Sequence, residues 1–251
     1  MKLRKNAVLV AMVCAGATGL AGCGGNGGGG GGSDDPFAGD SADQIADQAV
    51  KATQGASSVR MAGTAKQNGG ATITVDFQVD ERDRCKGKMS GQGATAQVVR
   101  TGEQLFVQGD RTFWSNTLKG RPGAEQALDK LKDRWVKTAP NEQGTEGMCD
   151  KQAFLAAMDS DRSERSGMKK TGTTTIEGKK AVTLEKKKEN GEKFTVHVAA
   201  EGDPYLLKTV TEGGKAPSEM TFSAFNEKVD AQEPPADQVV DPKTLGKPSG
   251  R

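Results

Sequence analysis

The sequence is poor in the side chains from which catalytic centres are built. It has a single histidine, His197, in 251 residues, and its carboxylates are scattered along the chain. A catalytic triad needs a base beside a nucleophile and a third group that orients the base, and the sequence nominates no such partners for His197. We therefore expect a protein that is not an enzyme, with His197 at the surface or at a sheet edge.

Two further absences narrow the class of protein. The glycine run at residues 24–32 lacks both the strand-to-helix setting and the lysine of a phosphate-binding loop, so it indicates no nucleotide site. Basic and acidic residues nearly balance, at 35 and 33, and no concentrated positive field favours nucleic acid. The sequence also indicates no cofactor.

The chain begins with the features of a bacterial lipoprotein signal. A basic start, residues 1–5, precedes an apolar segment, residues 7–16, which is too short to span a bilayer. Small residues then lead to the lipobox Leu20-Ala21-Gly22-Cys23. We predict that residues 1–22 are removed and that Cys23 carries diacylglyceryl and palmitate. The alternative is an ordinary secretory signal followed by an incidental cysteine.

This signal sets the expected compartment. The anchor would hold the protein at the extracytoplasmic face of the bacterial cell membrane, because two or more acyl chains make anchoring stable. Cleavage removes three basic residues, which leaves 32 against 33 acidic ones and a net charge of −1. Residues 23–40, Gly-rich and then polar, are predicted to be a flexible tether.

Cysteine usage predicts one disulfide. Of the four cysteines, Cys14 leaves with the signal and Cys23 takes the lipid, so Cys85 and Cys149 remain. Two leftover cysteines in an oxidising compartment usually pair. A metal site is the alternative, but two thiols and one distant histidine are a poor ligand set.

Hydrophobic periodicity predicts one helix followed by strands. Ser41 and Gln44 form a capping box that starts a helix ending near Gln54. The period then changes to two, most clearly over residues 72–79. Turn signals separate about six strands, near 57–66, 71–80, 84–90, 94–100, 104–108 and 112–115. About five more lie near 168–176, 180–188, 192–199, 205–212 and 218–226.

A helical insert separates the two groups of strands. Its first helix follows Pro122 and places Leu128, Leu131 and Trp135 on one face. Its second helix is capped by Asp150 and presents the apolar residues Phe154, Leu155 and Met158. The proline-rich segment after Glu233 is expected at the sheet edge or in solvent.

The order of these elements resembles the LolA/LppX-like family of bacterial envelope lipoproteins, and especially its LppX/LprG branch. The resemblance rests on residues 112–115 (Thr-Phe-Trp-Ser), 134–137 (Arg-Trp-Val-Lys), 203–208 (Asp-Pro-Tyr-Leu-Leu-Lys), 221–226 (Thr-Phe-Ser-Ala-Phe-Asn) and 234–237 (Pro-Pro-Ala-Asp). It implies an α+β fold: a curved antiparallel sheet, a half-barrel of about 11 strands, with helices on its concave face. The domain would cover residues 41–245, with a disordered tail at 246–251.

The resemblance also implies a function. Relatives hold lipid acyl chains or lipoprotein anchors in an apolar cavity between sheet and helices, so we expect a lipid or another hydrophobic ligand. Candidate residues for the cavity or core are Ile73, Val75, Phe77, Val79, Leu128, Leu131, Trp135, Phe154, Leu155 and Met158.

The alternative is an interaction or sensor-accessory protein on the same scaffold, with a filled core and no ligand. It would dock a membrane transporter or sensor through the outer face of the sheet or through Lys186–Lys188. In either case we expect a monomer that contacts the membrane through Cys23.

Overall fold

The alternating segments of the sequence pair into one large sheet. The computed structural model describes residues 36–66, 70–138, 149–158 and 165–241, all within one compact unit. The predicted signal, Cys23, the tether as far as residue 35 and the tail after residue 241 lie outside the described residues. The strands of the first half are β1 (Ser58–Lys66), β2 (Thr72–Asp80), β3 (Cys85–Gly91), β4 (Ala94–Thr101), β5 (Gln104–Gly109) and β6 (Trp135–Thr138). Those of the second half are β7 (Lys169–Ile176), β8 (Lys179–Lys187), β9 (Lys193–Ala199), β10 (Leu206–Glu212), β11 (Ser218–Ser223) and β12 (Val239–Val240).

Two antiparallel meanders form this sheet, and they meet at its centre. Over the described residues the strand order is β12-β6-β5-β4-β3-β2-β1-β11-β10-β9-β8-β7. The meanders join where β1 pairs with β11, Met61 lying opposite Phe222. Among the strands that the structure describes, the one parallel pair joins β12 to β6, which places the segment after the proline-rich stretch at the sheet edge. The sheet is curved and open, so the predicted α+β half-barrel is confirmed.

In the described ranges, four α-helices pack against one face of the sheet, which we call the inner face. They are α1 (Ala42–Gly55), α2 (Arg111–Thr117), α3 (Ala124–Leu131) and α4 (Lys151–Met158). The predicted capping box starts α1: the Ser41 hydroxyl accepts from the Gln44 amide at 3.2 Å, and the Gln44 side chain accepts from the Ser41 amide at 2.8 Å. Asp150 starts α4 as predicted, accepting from the Ala153 amide at 2.9 Å.

The prediction of a strand at residues 112–115 is wrong, because this stretch lies in helix α2. Asp110 caps the helix by accepting from the Phe113 amide at 2.7 Å. Gly109 lets the Phe113 ring fold back onto β5, since a Cβ at Gly109 would lie 2.8 Å from Cγ of Phe113. The aromatic residues Phe113 and Trp114 have a high strand propensity, but the Asp110 cap and the packing of Phe113 make this stretch helical.

The prediction that Trp135 shares a helix face with Leu128 and Leu131 is also wrong. Helix α3 ends at Leu131, and Asp133 has a left-handed φ of 56° that reverses the chain. Trp135 is instead the first residue of β6. The sequence does not predict strands β6 and β12. They have only four and two residues, respectively, which are too few to show a period of two.

Candidate functional site

An apolar interior lies between the inner face of the sheet and the helices. Alternate residues of the strands point into it, and all four helices contribute side chains. Helix α1 uses small residues here, with Ala46 and Ala49 almost fully buried, so its backbone lies close to β9 and β10. Thr53 ties the helix to the sheet by accepting from the Leu206 amide at 3.0 Å. The fully buried apolar residues include Ile45, Val59, Val79, Leu105, Leu131, Leu184, Val198 and Phe222.

The structure brings most of the predicted lining residues into this interior. Buried there are Phe77, Val79, Leu128, Leu131 and Leu155, while Val75 and Phe154 are half-buried against them. The Phe77 and Phe154 rings have centroids 5.9 Å apart, and this contact joins β2 to α4. Trp135 is half-buried in a groove on the opposite, outer face. The side chain of Met158 lies outside the described residues.

One apolar groove opens from the inner face at the ends of β2, β3 and β4. It has a volume of about 140 Å³, and its lining includes Ile73, Met89, Ala94, Ala96 and Phe113. This volume is below the roughly 300–1,000 Å³ of ligand pockets that enclose a whole small molecule. Of the lining residues only Ile73 was predicted. The sequence does not predict Met89 because the apolar alternation of its segment is weak. It does not predict Phe113 as a lining residue because it assigns that segment to a strand.

Two contacts hold helix α4 in place. A disulfide joins Cys149, just before the helix, to Cys85 on β3, with Cα atoms 5.5 Å apart. Lys151 is 3% exposed, and its ammonium group donates to the carbonyl oxygens of Gln54, at 3.1 Å, and Ala56. These carbonyls lie at the C-terminus of α1, where a positive charge also interacts favourably with the helix dipole. Helix α4 is therefore fixed to both the sheet and α1.

Replacing Lys151 by methionine is expected to destabilise the fold by about 1–3 kcal/mol, because buried carbonyl groups at the end of α1 would lose a charged donor. Methionine retains the apolar stem of the side chain, so packing changes little. Urea unfolding measures the change, and Lys130→Met on the exposed side of α3 is the matched control, expected within about 0.5 kcal/mol of wild type. Equal midpoints for the two variants would contradict this role.

His197 lies on β9, an interior strand, and not at a sheet edge. Its ring is half-buried on the outer face, and Nδ1 lies 3.2 Å from the Thr183 hydroxyl. Burial and the nearby Lys208 lower the pKa of His197 below its ordinary value, while Glu185 opposes the shift. Among the described residues no carboxylate hydrogen-bonds to the ring, so these contacts do not form a triad.

The lowered pKa of His197 predicts a pH dependence of stability. Because the unfolded chain binds the proton more readily than the native ring does, protonation favours unfolding. We expect the His197 contribution to be fully present above the unfolded pKa, near 6.5, and to be lost as the pH falls towards the lower native value. His197→Gln should flatten the stability curve between about pH 7 and 5. Identical curves for both proteins would exclude this effect.

The outer face carries a second groove, with a volume of about 410 Å³ and Trp135 at one side. Arg60 and Asp76 form a bidentate ion pair across it, with nitrogen–oxygen distances of 2.8 and 2.9 Å. The hydrogen bond from Arg60 lowers the pKa of the Asp76 carboxyl. Lys86 and Lys88 project from β3 beside this pair. This polar groove differs in character from the apolar one on the inner face.

Comparison with known proteins identifies the fold. No family model and no curated protein matches the sequence. Among solved structures, LprF from Mycobacterium bovis aligns over 77% of this chain and 96% of its own, with 15% identity and a TM-score of 0.51. The Mycobacterium tuberculosis lipoprotein LppX aligns over 75% and 96%, with 18% identity and a TM-score of 0.44. A LolA superfamily protein from Nitrosomonas europaea aligns over 75% and 94%, with 13% identity and a TM-score of 0.22.

The likeness to LprF supports the class of fold that the structure shows, an open, curved sheet with helices on one face. The chain therefore shares its fold with LprF, and the resemblance indicated by the sequence motifs is confirmed at the level of the fold alone. Within the described ranges no helix has both the length and the apolar character needed to cross a bilayer.

Proposed function

We propose that this protein is a membrane-anchored envelope lipoprotein that binds a lipid or another hydrophobic ligand between its sheet and its helices, without catalysis. The observation that carries the proposal is the apolar groove that opens from the core between β2–β4 and α2. Burial of apolar surface would supply the affinity, with few polar contacts to fix orientation. The likeness to LprF in fold supports this assignment.

The groove must widen to enclose an acyl chain. Its walls include Met89, an unbranched and adaptable side chain, and Phe113, which sits on the short helix α2. Both are only partly buried, so they can move with a smaller loss of packing than fully buried residues. In this proposal, ligand entry displaces these two side chains while the disulfide keeps α4 attached.

Filling the groove should weaken ligand binding. We expect Ala94→Phe, in full-length protein carrying Cys23→Ser to prevent acylation, to bind a neutral fluorescent fatty-acid methyl ester at least about tenfold more weakly. Ala94 is a partly exposed lining residue, so the larger side chain enters the groove without disturbing fully buried positions. Ala236→Phe, at an exposed position just before β12 and outside the groove lining, is the matched control. Equal affinities for the two variants would refute the groove as the ligand site.

The anchor has a separate test. Cells producing the protein with labelled palmitate should incorporate label at Cys23, and the protein should fractionate with membranes. Cys23→Ser should abolish labelling and release the protein into the soluble extracytoplasmic fraction. Membrane association that persists without label would show that the protein is held by another means.

A second function is favoured by the tight packing of the core, where Ile45, Leu131 and Phe222 are almost fully buried. A filled core would suit a scaffold that docks a membrane transporter or sensor. The Lys186–Lys188 hairpin is one docking candidate, and there Lys188 pairs with Glu192 at 2.6 Å. Loss of a captured partner on changing Lys186 and Lys187 to glutamate, with no lipid bound to wild type, would favour this function.

A further inference from the structure

The groove on the outer face is built from polar side chains of neighbouring strands. Gln78 on β2 lies opposite Lys86 on β3, and Asp76 lies opposite Lys88. Lys88 in turn lies opposite Gln97 on β4. Directly opposed residues of an antiparallel pair have their side chains on the same face, and all five line the groove. Strand register therefore sets a continuous polar surface on a rigid support.

The charges of this surface do not balance. Its described lining has three basic side chains, Arg60, Lys86 and Lys88, and one acidic side chain, Asp76. Arg60 donates to both oxygens of Asp76. In the ranges that the structure describes, neither Lys86 nor Lys88 forms an ion pair, whereas lysines in the second half of the sheet do. Both lysines are exposed, so the groove presents a positive charge that favours an anionic ligand.

Trp135 gives the groove an apolar wall. The indole is half-buried at one side, and Val99 adds a second apolar residue to the lining. The amides of Gln78 and Gln97 each combine two N–H donors with one acceptor oxygen. Gln97 donates to the Gln108 side chain at 3.4 Å, and this contact orients its amide. A ligand that fits this groove has an apolar face and polar groups that both donate and accept.

These features together match one ligand chemistry. A sugar ring presents a C–H face that packs on an aromatic ring, and its hydroxyl groups donate and accept hydrogen bonds. An acidic group on the sugar would accept charge-assisted hydrogen bonds from the two lysines. The groove volume of about 410 Å³ lies within the roughly 300–1,000 Å³ of small-molecule pockets. A hydrocarbon chain would instead leave the polar groups of the lining unpaired.

We infer that the outer groove binds an anionic saccharide, with Trp135 packed on the sugar ring and with Lys86 and Lys88 bound to its acidic group, a carboxylate or a phosphate. Among the described residues, this groove and the apolar groove of the inner face have no lining residue in common. The inference is therefore independent of the ligand proposed for the inner face and gives the protein a second binding site.

The test titrates full-length protein carrying Cys23→Ser with trigalacturonic acid, and separately with its methyl ester, and measures both affinities by calorimetry. Wild type should bind the acid at least about tenfold more tightly than the ester, because only the acid offers carboxylates to the lysines. Lys88→Gln should lower this ratio at least about threefold, and Lys86→Gln with Lys88→Gln should reduce it to about one. Lys137→Gln, which removes an exposed charge on β6 outside the groove lining, is the matched control and should keep the full ratio.

Tryptophan fluorescence tests the aromatic wall. The chain has two tryptophans, and Trp114 is buried in the core, so a fluorescence change on adding the acid should come from Trp135. Trp135→Leu should abolish this change and weaken both probes at least about fivefold, because the acid and the ester share the sugar ring. A fluorescence change that persists in Trp135→Leu would overturn the assignment of Trp135.

Further outcomes would overturn the inference as a whole. They are a wild type that does not bind trigalacturonic acid, and equal losses for Lys88→Gln and Lys137→Gln. Triglutamate bound as tightly as trigalacturonic acid would show that the groove recognises acidic peptides instead of saccharides. Displacement of the acid by an equal concentration of inorganic phosphate would show that a free anion suffices. Ala94→Phe in the inner groove should leave acid binding unchanged, so this test fails independently of the hydrophobic-ligand proposal.

Discussion

Replacing Cys85 and Cys149 together by alanine is expected to lower the free energy of unfolding by about 4 kcal/mol, less any relief of strain. The cross-link closes a loop with a sequence separation of 64 residues, and loops of this length gain the most from closure in the chain-entropy account. Both cysteines are fully buried, so the disulfide is packed within the core. Without it, α4 would keep only the Lys151 contacts and its apolar packing.

The measurement is urea unfolding of wild type and the double variant, each with and without dithiothreitol. Reductant should lower the stability of wild type to that of the variant and leave the variant unchanged. Non-reducing peptide mapping should find the Cys85–Cys149 peptide. Free thiols at both positions in secreted protein would show that the disulfide does not form. A wild-type stability that does not change with dithiothreitol would show the same.

Replacing Gly63 by alanine is expected to destabilise the protein by about 2–3 kcal/mol, because a side chain has no space at the seam between the two meanders. Gly63 on β1 lies opposite Met220 on β11. A Cβ at this position would lie 2.8 Å from the Met220 Cα and closer still to the backbone oxygen of Glu219. Both obstacles are backbone atoms, so the strands themselves must separate.

Gly91→Ala is the matched control, because the same substitution at the end of β3 meets the Ile73 side chain and a backbone oxygen at 3.2 Å. We expect its effect to be well under half that of Gly63→Ala. Amide hydrogen exchange adds a local measurement, since weakened β1–β11 pairing should lower protection on those two strands first. Equal losses of stability for Gly63→Ala and Gly91→Ala would mean that β1 and β11 are not closely packed at Gly63.

Local patterns in the sequence predict most of the fold. The strict alternation of residues 72–79 predicts β2 because one face of that strand is buried, and the Ser41–Gln44 capping box predicts the start of α1 because both partners lie within one turn. Pairing between distant strands leaves no such local signal. The β1–β11 seam, with Met61 opposite Phe222, depends on the curvature of the whole sheet.

The candidate site was less accessible to prediction. Leu131 and Phe77 are apolar at the right spacing whether they fill a core or line a cavity, so only the structure assigns them to the packed interior. Phe113 reaches the groove because Asp110 caps helix α2. This cap and the packing of the helix outweigh the strand propensity of Phe113 and Trp114.

The central claim is that the space between sheet and helices binds a hydrophobic ligand. It is tested most directly by purifying full-length protein carrying Cys23→Ser from a bacterial envelope, extracting it with organic solvent and analysing the extract by mass spectrometry. The account predicts a lipid or another hydrophobic molecule in near-stoichiometric amount, strongly depleted from the Ala94→Phe protein. A folded wild-type protein that yields no lipid and binds no fatty-acid ester would contradict it.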